Sequence, residues 1–237
     1  MPYRKEKFEN GDIVHVILRG IDGNIIFRDK DDYFRGIFSI YELNNLKPTE
    51  VRVRRRIRIQ FKKTNNCGGR TSATFADKRE RMVDILCFCF MPNHIHLLLK
   101  QVKDNGITEF MRKIGTGYGG YINRKYKRQG HVFQSSFNAV KITTDEQLRI
   151  VVAYIHTNSL SLNYPKWKEI GIENPQEALD FLKESKESKW SSHLDYMGIK
   201  NFPSVTQREF ILDLFGNLKK YQEFIEDYIC WKGNPKE

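Results

Sequence analysis

Residues 83–100 constrain this chain more than any other stretch. Val83 to Phe90 is a nearly unbroken apolar, β-prone run, Met91-Pro92-Asn93 has turn chemistry, and His94 to Lys100 is a second β-prone run. Two such runs around a short turn predict a hairpin. A hairpin this apolar has to be covered by other elements. Upstream, Ile13 to Arg19 is β-rich and stops at Gly20. Asp29-Lys30-Asp31-Asp32 can open a helix, Tyr33, Ile37, Ile40 and Tyr41 follow at helical spacing, and Asn44-Asn45 with Pro48 closes it. Downstream, Thr108 is expected to cap a helix running to about Lys127, with Phe110, Met111, Ile114, Tyr118 and Ile122 as its buried stripe. Its glycines at 115, 117, 119 and 120 each weaken that expectation by roughly 1 kcal/mol relative to alanine. His131 to Ile142 looks extended. Thr144-Asp145-Glu146-Gln147 is a capping-box pattern, and Leu148, Val151, Val152 and Ile155 share one face of the helix behind it. A late amphipathic helix is expected over about Thr206 to Tyr228.

The order β, α, β, β, α, β, α predicts an α+β fold, a ferredoxin-like antiparallel sheet with helices on one side. Residues 1–165 would form the main domain, with a basic insertion at about 49–82, and residues 166–237 a C-terminal helical extension. The chain has 237 residues, 40% of them hydrophobic and 29% charged, which suits a globular protein with a sizeable core. No apolar run is long enough to cross a bilayer, and the start has no apolar stretch behind its charges. Cysteines at 67, 87, 89 and 230 form no Cys-x-x-Cys pair and suggest no disulfide framework. A reducing cytoplasm is therefore the expected compartment.

The net charge of +11 favours polyanionic partners. Its placement is sharper than its size. Residues 51–81 hold eleven Lys/Arg, among them Arg52, Arg54, Arg55, Arg56 and Arg58, against only Asp77 and Glu80. A localised block suits phosphate contact better than general solubility does. Val51 to Phe61 alternates in part between apolar and basic residues, as a strand pair or arm with one charged face would. Thr64 to Ser72, with Cys67-Gly68-Gly69, is expected to be a loop. Arg112, Lys113, Arg124, Lys125, Lys127 and Arg128 interleave with Tyr118, Tyr121 and Tyr126, a combination that can hold phosphates and stack bases, or simply form a solvated face.

His94 and His96 flank Ile95 just past the hairpin turn. Alternation along a strand sends both imidazoles to one face. Two neutral imidazoles can share one divalent ion, although two histidines on an exposed strand face would have the same spacing. A third histidine at 98 would point to a histidine-triad hydrolase, but Leu98 stands there. Tyr154 and Asn158 lie four apart on the capped helix, hence on one side of it. A tyrosine hydroxyl, with a pKa of about 10, attacks phosphorus only if it is helped toward phenolate and the phosphate is polarised. A divalent ion can do both, and Asn158 could give it an oxygen ligand. From residue type alone Tyr154 is equally a half-buried helix tyrosine, and Tyr121 and Tyr126 are rival nucleophiles.

Met91-Pro92-Asn93-His94-Ile95-His96-Leu97-Leu98 resembles the His-hydrophobic-His strand of the single-tyrosine HUH transposases. Within them it is most similar to the REP-associated tyrosine transposases, kin of the insertion-sequence-200 enzymes. Other segments agree in order. His15-Val16-Ile17-Leu18-Arg19-Gly20 resembles the family's first strand, and Phe27-Arg28-Asp29-Lys30-Asp31-Asp32-Tyr33 the lead into its first helix. Gly130 to Phe137 is similar to its Gly-x-Leu-Trp/Phe-Gln-x-x-Phe strand, Tyr154-Ile155-His156-Thr157-Asn158 to its catalytic helix, and Lys189-Trp190-Ser191-Ser192 to its Pro-Trp-Ser-Ser turn. Phe210 to Gly216 resembles part of its C-terminal extension. The family's Asn-Pro-Val is replaced by Asn158-Ser159-Leu160, and the basic segment 49–82 is longer than the family's usual link.

The resemblance implies a metal-dependent single-strand DNA endonuclease and strand transferase. His94 and His96, with Asn158 as third ligand, would hold Mg²⁺ or Mn²⁺. Tyr154 would form a 5′-phosphotyrosine link at hairpin or repeat DNA. Arg19, the 52–58 arginines and Arg124, Lys125, Lys127 and Arg128 are the candidate nucleic-acid contacts. The family also allows a homodimer, and work on nucleoid DNA in the cytoplasm. Two other readings compete. A non-cutting DNA- or RNA-hairpin-binding protein would retain the fold, but would have no reason to keep His94, His96, Tyr154 and Asn158 together. A small phosphate-ester hydrolase would normally add acidic ligands and leaves the basic block unexplained.

Overall fold

The computed structural model describes residues 7–65, 77, 79–134 and 137–233. Four strands, β1 (Ile13–Arg19), β2 (Val83–Met91), β3 (His94–Gln101) and β4 (Asn138–Ile142), form one sheet in the order β2-β3-β1-β4. Every pairing is antiparallel, and β2 carries an irregularity between Ile85 and Cys87. This is the expected ferredoxin-like α+β sheet. Only its last strand is shorter than the extended segment 131–142 suggested. Residues 131–134 approach the sheet through an isolated bridge from Phe133 to Gly20 instead.

Alternation divides the sheet into two faces. Val14, Val16, Leu18, Phe88, Phe90, Ile95, Leu97 and Leu99 point into a core shared with α1 (Lys30–Glu42) and with Phe110, Ile114, Tyr118 and Ile122 of α3 (Gly106–Lys125). Asp29 caps α1 as anticipated, its carboxylate accepting from the Asp32 amide at 3.0 Å. Gly36 lets α1 lie close to the sheet, because a methyl there would run into Phe90 and Phe27. Thr108 does not cap α3. The cap position falls three residues earlier, on Asn105 in a left-handed conformation (φ 56), and the helix starts at Gly106.

The opposite face, with Cys87, Cys89, Met91 and Leu98, is covered by α4 (Asp145–Thr157) and by C-terminal helices. The sheet is thus sandwiched, where helices on one side were anticipated. The reason is compositional, since Cys87, Cys89 and Leu98 make the second face too apolar to stay in water. Thr144 caps α4 by accepting from the Gln147 amide at 3.1 Å. Beyond α4 come a 3-10 turn (Asn158–Leu162), α5 (Trp167–Ile170), α6 (Pro175–Glu184), α7 (His193–Tyr196), α8 (Arg208–Phe215) and α9 (Leu218–Gly233). The expected single late helix is two, broken at Gly216, whose φ of 91° leaves the helical region. The edge of β2 is closed by the same region. Ser192 donates its amide to Phe88 and accepts from it, and Gln207 does the same with Ile85. An edge strand paired in this way offers no free ladder to another chain.

The segment from Val51 is the clearest departure. It is a helix, α2 (Val51–Asn65), in place of a strand pair or arm. Arginine is a good helix former, and the four-residue spacing of Arg54 and Arg58 brings both to the buried carboxylate of Glu42, at 3.7 and 2.8 Å. A strand would have sent them apart. Most of the expected loop at 64–72 lies outside the described residues.

Candidate active site

The register of β1 against β3 sets Arg19 opposite His94 and Ile17 opposite His96, and β2 places Cys89 beside His96. His94, His96, His15 and Arg19 consequently share the sheet face that α4 covers. The His94 and His96 rings are 4.8 Å apart, and α4 brings the Tyr154 ring 5.5 Å from His96 and 5.8 Å from His15. The paired histidines and the helix tyrosine are therefore brought together.

The hydrogen bonds are specific. His94 Nδ1 lies 2.6 Å from Asn93 Oδ1, and His96 Nδ1 lies 3.0 Å from His15 Nε2. An amide oxygen can only accept, so His94 carries its proton on Nδ1 and presents Nε2 as a lone pair. His96 Nε2 is buried and has no hydrogen-bond partner among the described residues. Burial, reinforced by Arg19 and Lys168, pushes the His94 imidazole down to about 4. Burial also holds His96 well below its ordinary value, with His94, His15, Lys168 and Arg19 adding to the effect. Neutral imidazoles with a free nitrogen are what a divalent cation requires. Burial raises the Tyr154 phenol, and Arg19 pulls it part of the way back. The tyrosine is neutral until something further stabilises its oxyanion.

Asn158, one turn beyond Tyr154, is buried at the start of the 3-10 turn, which continues the helix through Ser159-Leu160. Its Oδ1 accepts from Lys168 Nζ at 2.6 Å, and its Nδ2 is unpartnered among the described residues. The same ammonium sits 4.1 Å from the Tyr154 ring centroid. Lys168 and His15 are site residues that sequence reasoning missed. A histidine in an otherwise apolar strand is the visible signal for His15. Lys168 had none.

The rival tyrosines are bound up elsewhere. Asp32 is fully buried and accepts from Tyr121 at 2.9 Å, Tyr126 at 2.6 Å and Lys125 at 2.6 Å. Burial, with the Asp32 hydrogen bond, raises Tyr121 and takes Tyr126 up to about 12. Lys125 also bridges to Asp29 at 2.7 Å, so its ammonium is paired with two carboxylates. Arg124 and Lys127 are exposed, as are Arg52, Arg55 and Arg56 on α2. Arg54 and Arg58 are committed to Glu42, and the Arg58 guanidinium also covers the Tyr41 ring at 4.6 Å. His156, which points away from Tyr154, is buried in a separate network. Its Nε2 meets Ser192 Oγ and its Nδ1 meets Tyr221, each at 2.8 Å, and Tyr221 reaches His193 at 2.9 Å.

Among the described residues no cluster of three or more His, Cys, Asp or Glu forms a metal site. The candidate donors are two imidazoles and one amide oxygen, ligand types that divalent first-row ions accept. The unpartnered His96 Nε2 and the Nδ1-tethered His94 fit such an ion. No described helix is long and apolar enough to cross a membrane.

The sheet face thus sets two neutral histidines beside a helix tyrosine. Residues 53–158, which include His94, His96, Tyr154 and Asn158, match the family model described as IS200-like transposases, in agreement with the resemblance seen in the motifs. Among solved structures, the chain is similar to a REP-associated tyrosine transposase bound to a REP hairpin, at 13% identity and a TM-score of 0.39, over 68% of this chain and 73% of that one. No curated protein matches the chain.

Proposed function

We propose that this protein is a metal-dependent single-strand DNA endonuclease and strand transferase acting at hairpin or repeat DNA, with Tyr154 as nucleophile. The observation that carries the reading is the approach of the Tyr154 and His96 rings to 5.5 Å on the face where His96 Nε2 has no partner among the described residues. The match of residues 53–158 to the IS200-like transposases supports it. His94 and His96 would hold Mg²⁺ or Mn²⁺, with Asn158 Oδ1 as third donor once it is released from Lys168. Such an ion supplies polarisation of the scissile phosphate and stabilisation of the tyrosine oxyanion.

In cleavage the Tyr154 oxygen bonds to phosphorus as the bond from phosphorus to the 3′-oxygen breaks. The phenol loses its proton, the departing oxygen gains one, and a 5′-phosphotyrosine and a free 3′-hydroxyl result. One phosphodiester replaces another, so attack by a 3′-hydroxyl reverses the step and joins strands without an external energy source. Arg19, beside His94 and exposed, would contact the phosphate. Arg52, Arg55 and Arg56 would follow the backbone further out.

The test is capture of the covalent intermediate. Labelled single-stranded hairpins from the repeats flanking the gene, incubated with protein and Mn²⁺, should give a protein–DNA band on a denaturing gel, and Tyr154→Phe should abolish it. A band that survives in Tyr154→Phe would reassign the nucleophile. Tight hairpin binding without any band, at full metal occupancy, would favour a non-cutting hairpin binder.

A further inference from the structure

The hairpin strand carries both candidate metal ligands, yet one of the contacts that aims them comes from a different strand. His15 on β1 is buried (8% exposed), and its ring stacks on His96 with centroids 5.2 Å apart and planes inclined by 20°. Its Nε2 lies 3.0 Å from His96 Nδ1. Two neutral imidazoles facing through one nitrogen each share a single proton, so two arrangements are available. If His15 donates, the His96 proton sits on Nε2, which becomes a buried donor with no partner. If His96 donates, its Nε2 is a lone pair aimed into the site. Both leave Nε2 unpaired among the described residues, but an orphaned buried N–H is the rarer case, and only the lone pair can take a cation. His94 gives an independent indication, because Asn93 Oδ1 at 2.6 Å fixes it with the proton on Nδ1. Both ligand histidines then have the same arrangement, tethered through Nδ1 and open at Nε2.

We infer that His15 is a positioning residue for metal binding: it accepts the His96 Nδ1 proton and so fixes the tautomer and ring orientation that present His96 Nε2 to a divalent cation. Metal-bound histidines commonly donate their second nitrogen to such an acceptor, and losing it weakens metal affinity by roughly 10- to 100-fold. The acceptor here is a neutral imidazole rather than a carboxylate, so it orients His96 without adding negative charge beside the phosphate site. His15 also packs edge-on to Tyr154 at 5.8 Å, placing ligand and nucleophile against one side chain.

The inference rests on the metal reading proposed above, and the experiment separates the two. Mn²⁺ binding is measured directly by the loss of the free-ion EPR signal, for wild type, His15→Phe and His15→Gln. Phenylalanine keeps the ring packing and removes the acceptor, whereas glutamine restores an acceptor. The expected result is about 10- to 100-fold weaker binding in His15→Phe and recovery of most of it in His15→Gln. Equal affinity in wild type and His15→Phe overturns the role of His15 and leaves the metal site standing. No Mn²⁺ binding by wild type would instead overturn the metal reading. Should the variants fail to fold, long-range ¹H–¹⁵N spectra of the metal-free wild type read the tautomer itself. A proton on His96 Nδ1 supports the inference, and a proton on Nε2 refutes it.

Discussion

Lys168 makes an unusual demand on the proposed metal site. Its ammonium donates at 2.6 Å to Asn158 Oδ1, the oxygen proposed as third ligand. An oxygen ligand sits about 2.1 Å from Mg²⁺. If Lys168 stayed in place, its charge and the ion would be at most about 4.7 Å apart. The repulsion between charges of +1 and +2 at that distance is about 1.8 kcal/mol in bulk water and about four times larger at the effective constant of partly buried sites. Lys168 is only half-buried on a four-residue helix, and its ammonium can turn toward water. The smaller figure is the appropriate one, and it corresponds to roughly twentyfold in affinity. Lys168→Met, which keeps the aliphatic contact and removes the charge, should therefore tighten Mn²⁺ binding by about that factor. Lys168→Arg should leave binding near the wild-type value. The assay is Mn²⁺ titration followed by EPR at fixed ionic strength. Unchanged or weaker binding in a folded Lys168→Met protein would refute the argument, and would mean that Asn158 Oδ1 is not a ligand.

Two further outcomes follow from the charges. His193, fully enclosed, is pushed by burial down to about 4, and burial also depresses His156. A histidine that stays neutral in the fold takes up a proton only in the unfolded chain, so stability is complete above about pH 6.5 and declines from there toward pH 4. At pH 5.5 His193 alone should cost about 1.4 kcal/mol relative to pH 7.5, with His156 and His15 acting in the same direction. Urea unfolding at the two pH values measures this, and equal stability would contradict neutral burial. On the nucleic-acid side, replacing Arg52, Arg55 and Arg56 with alanine together should flatten the salt dependence of single-strand binding by up to about 2 units of slope, at roughly 0.7 per phosphate contact. Replacing Arg54 and Arg58 should chiefly lower stability, because they are committed to Glu42, and a slope change from that pair as large as from the exposed three would overturn the division.

What was legible in the sequence was whatever follows from local periodicity. The two-residue period of β3 put His94 and His96 on one face before any tertiary information was available. The i, i+4 relation did the same for Tyr154 and Asn158, and the side-chain caps at Asp29 and Thr144 marked where their helices begin. The α2 helix was obscured because Val51, Val53, Ile57 and Ile59 between arginines imitate a strand. The interaction that settles it, Arg54 and Arg58 on one carboxylate, depends on Glu42 from another element. The covering of the second sheet face was hidden for a similar reason. Cys87, Cys89 and Leu98 look like ordinary strand fillers until the register aligns them into one apolar surface beneath α4.

The residues that complete the site were hard to find because each reaches it from a different part of the chain. β3 supplies the two histidines proposed as ligands, β1 supplies His15 and Arg19, α4 supplies Tyr154, and α5 supplies Lys168. His15 and Lys168 both lie outside the segment that matches the transposase family model. Lys168 is also held among the C-terminal helices, beside a buried Trp167 whose indole meets Tyr228 of α9 at 6.3 Å. The α4 helix is tied to the same region, through His156 to Tyr221 of α9 and to Ser192 on the edge of β2. The position of Tyr154 relative to the histidines therefore depends on contacts made by residues after 166, and the C-terminal helices belong to the construction of the site as much as the sheet does.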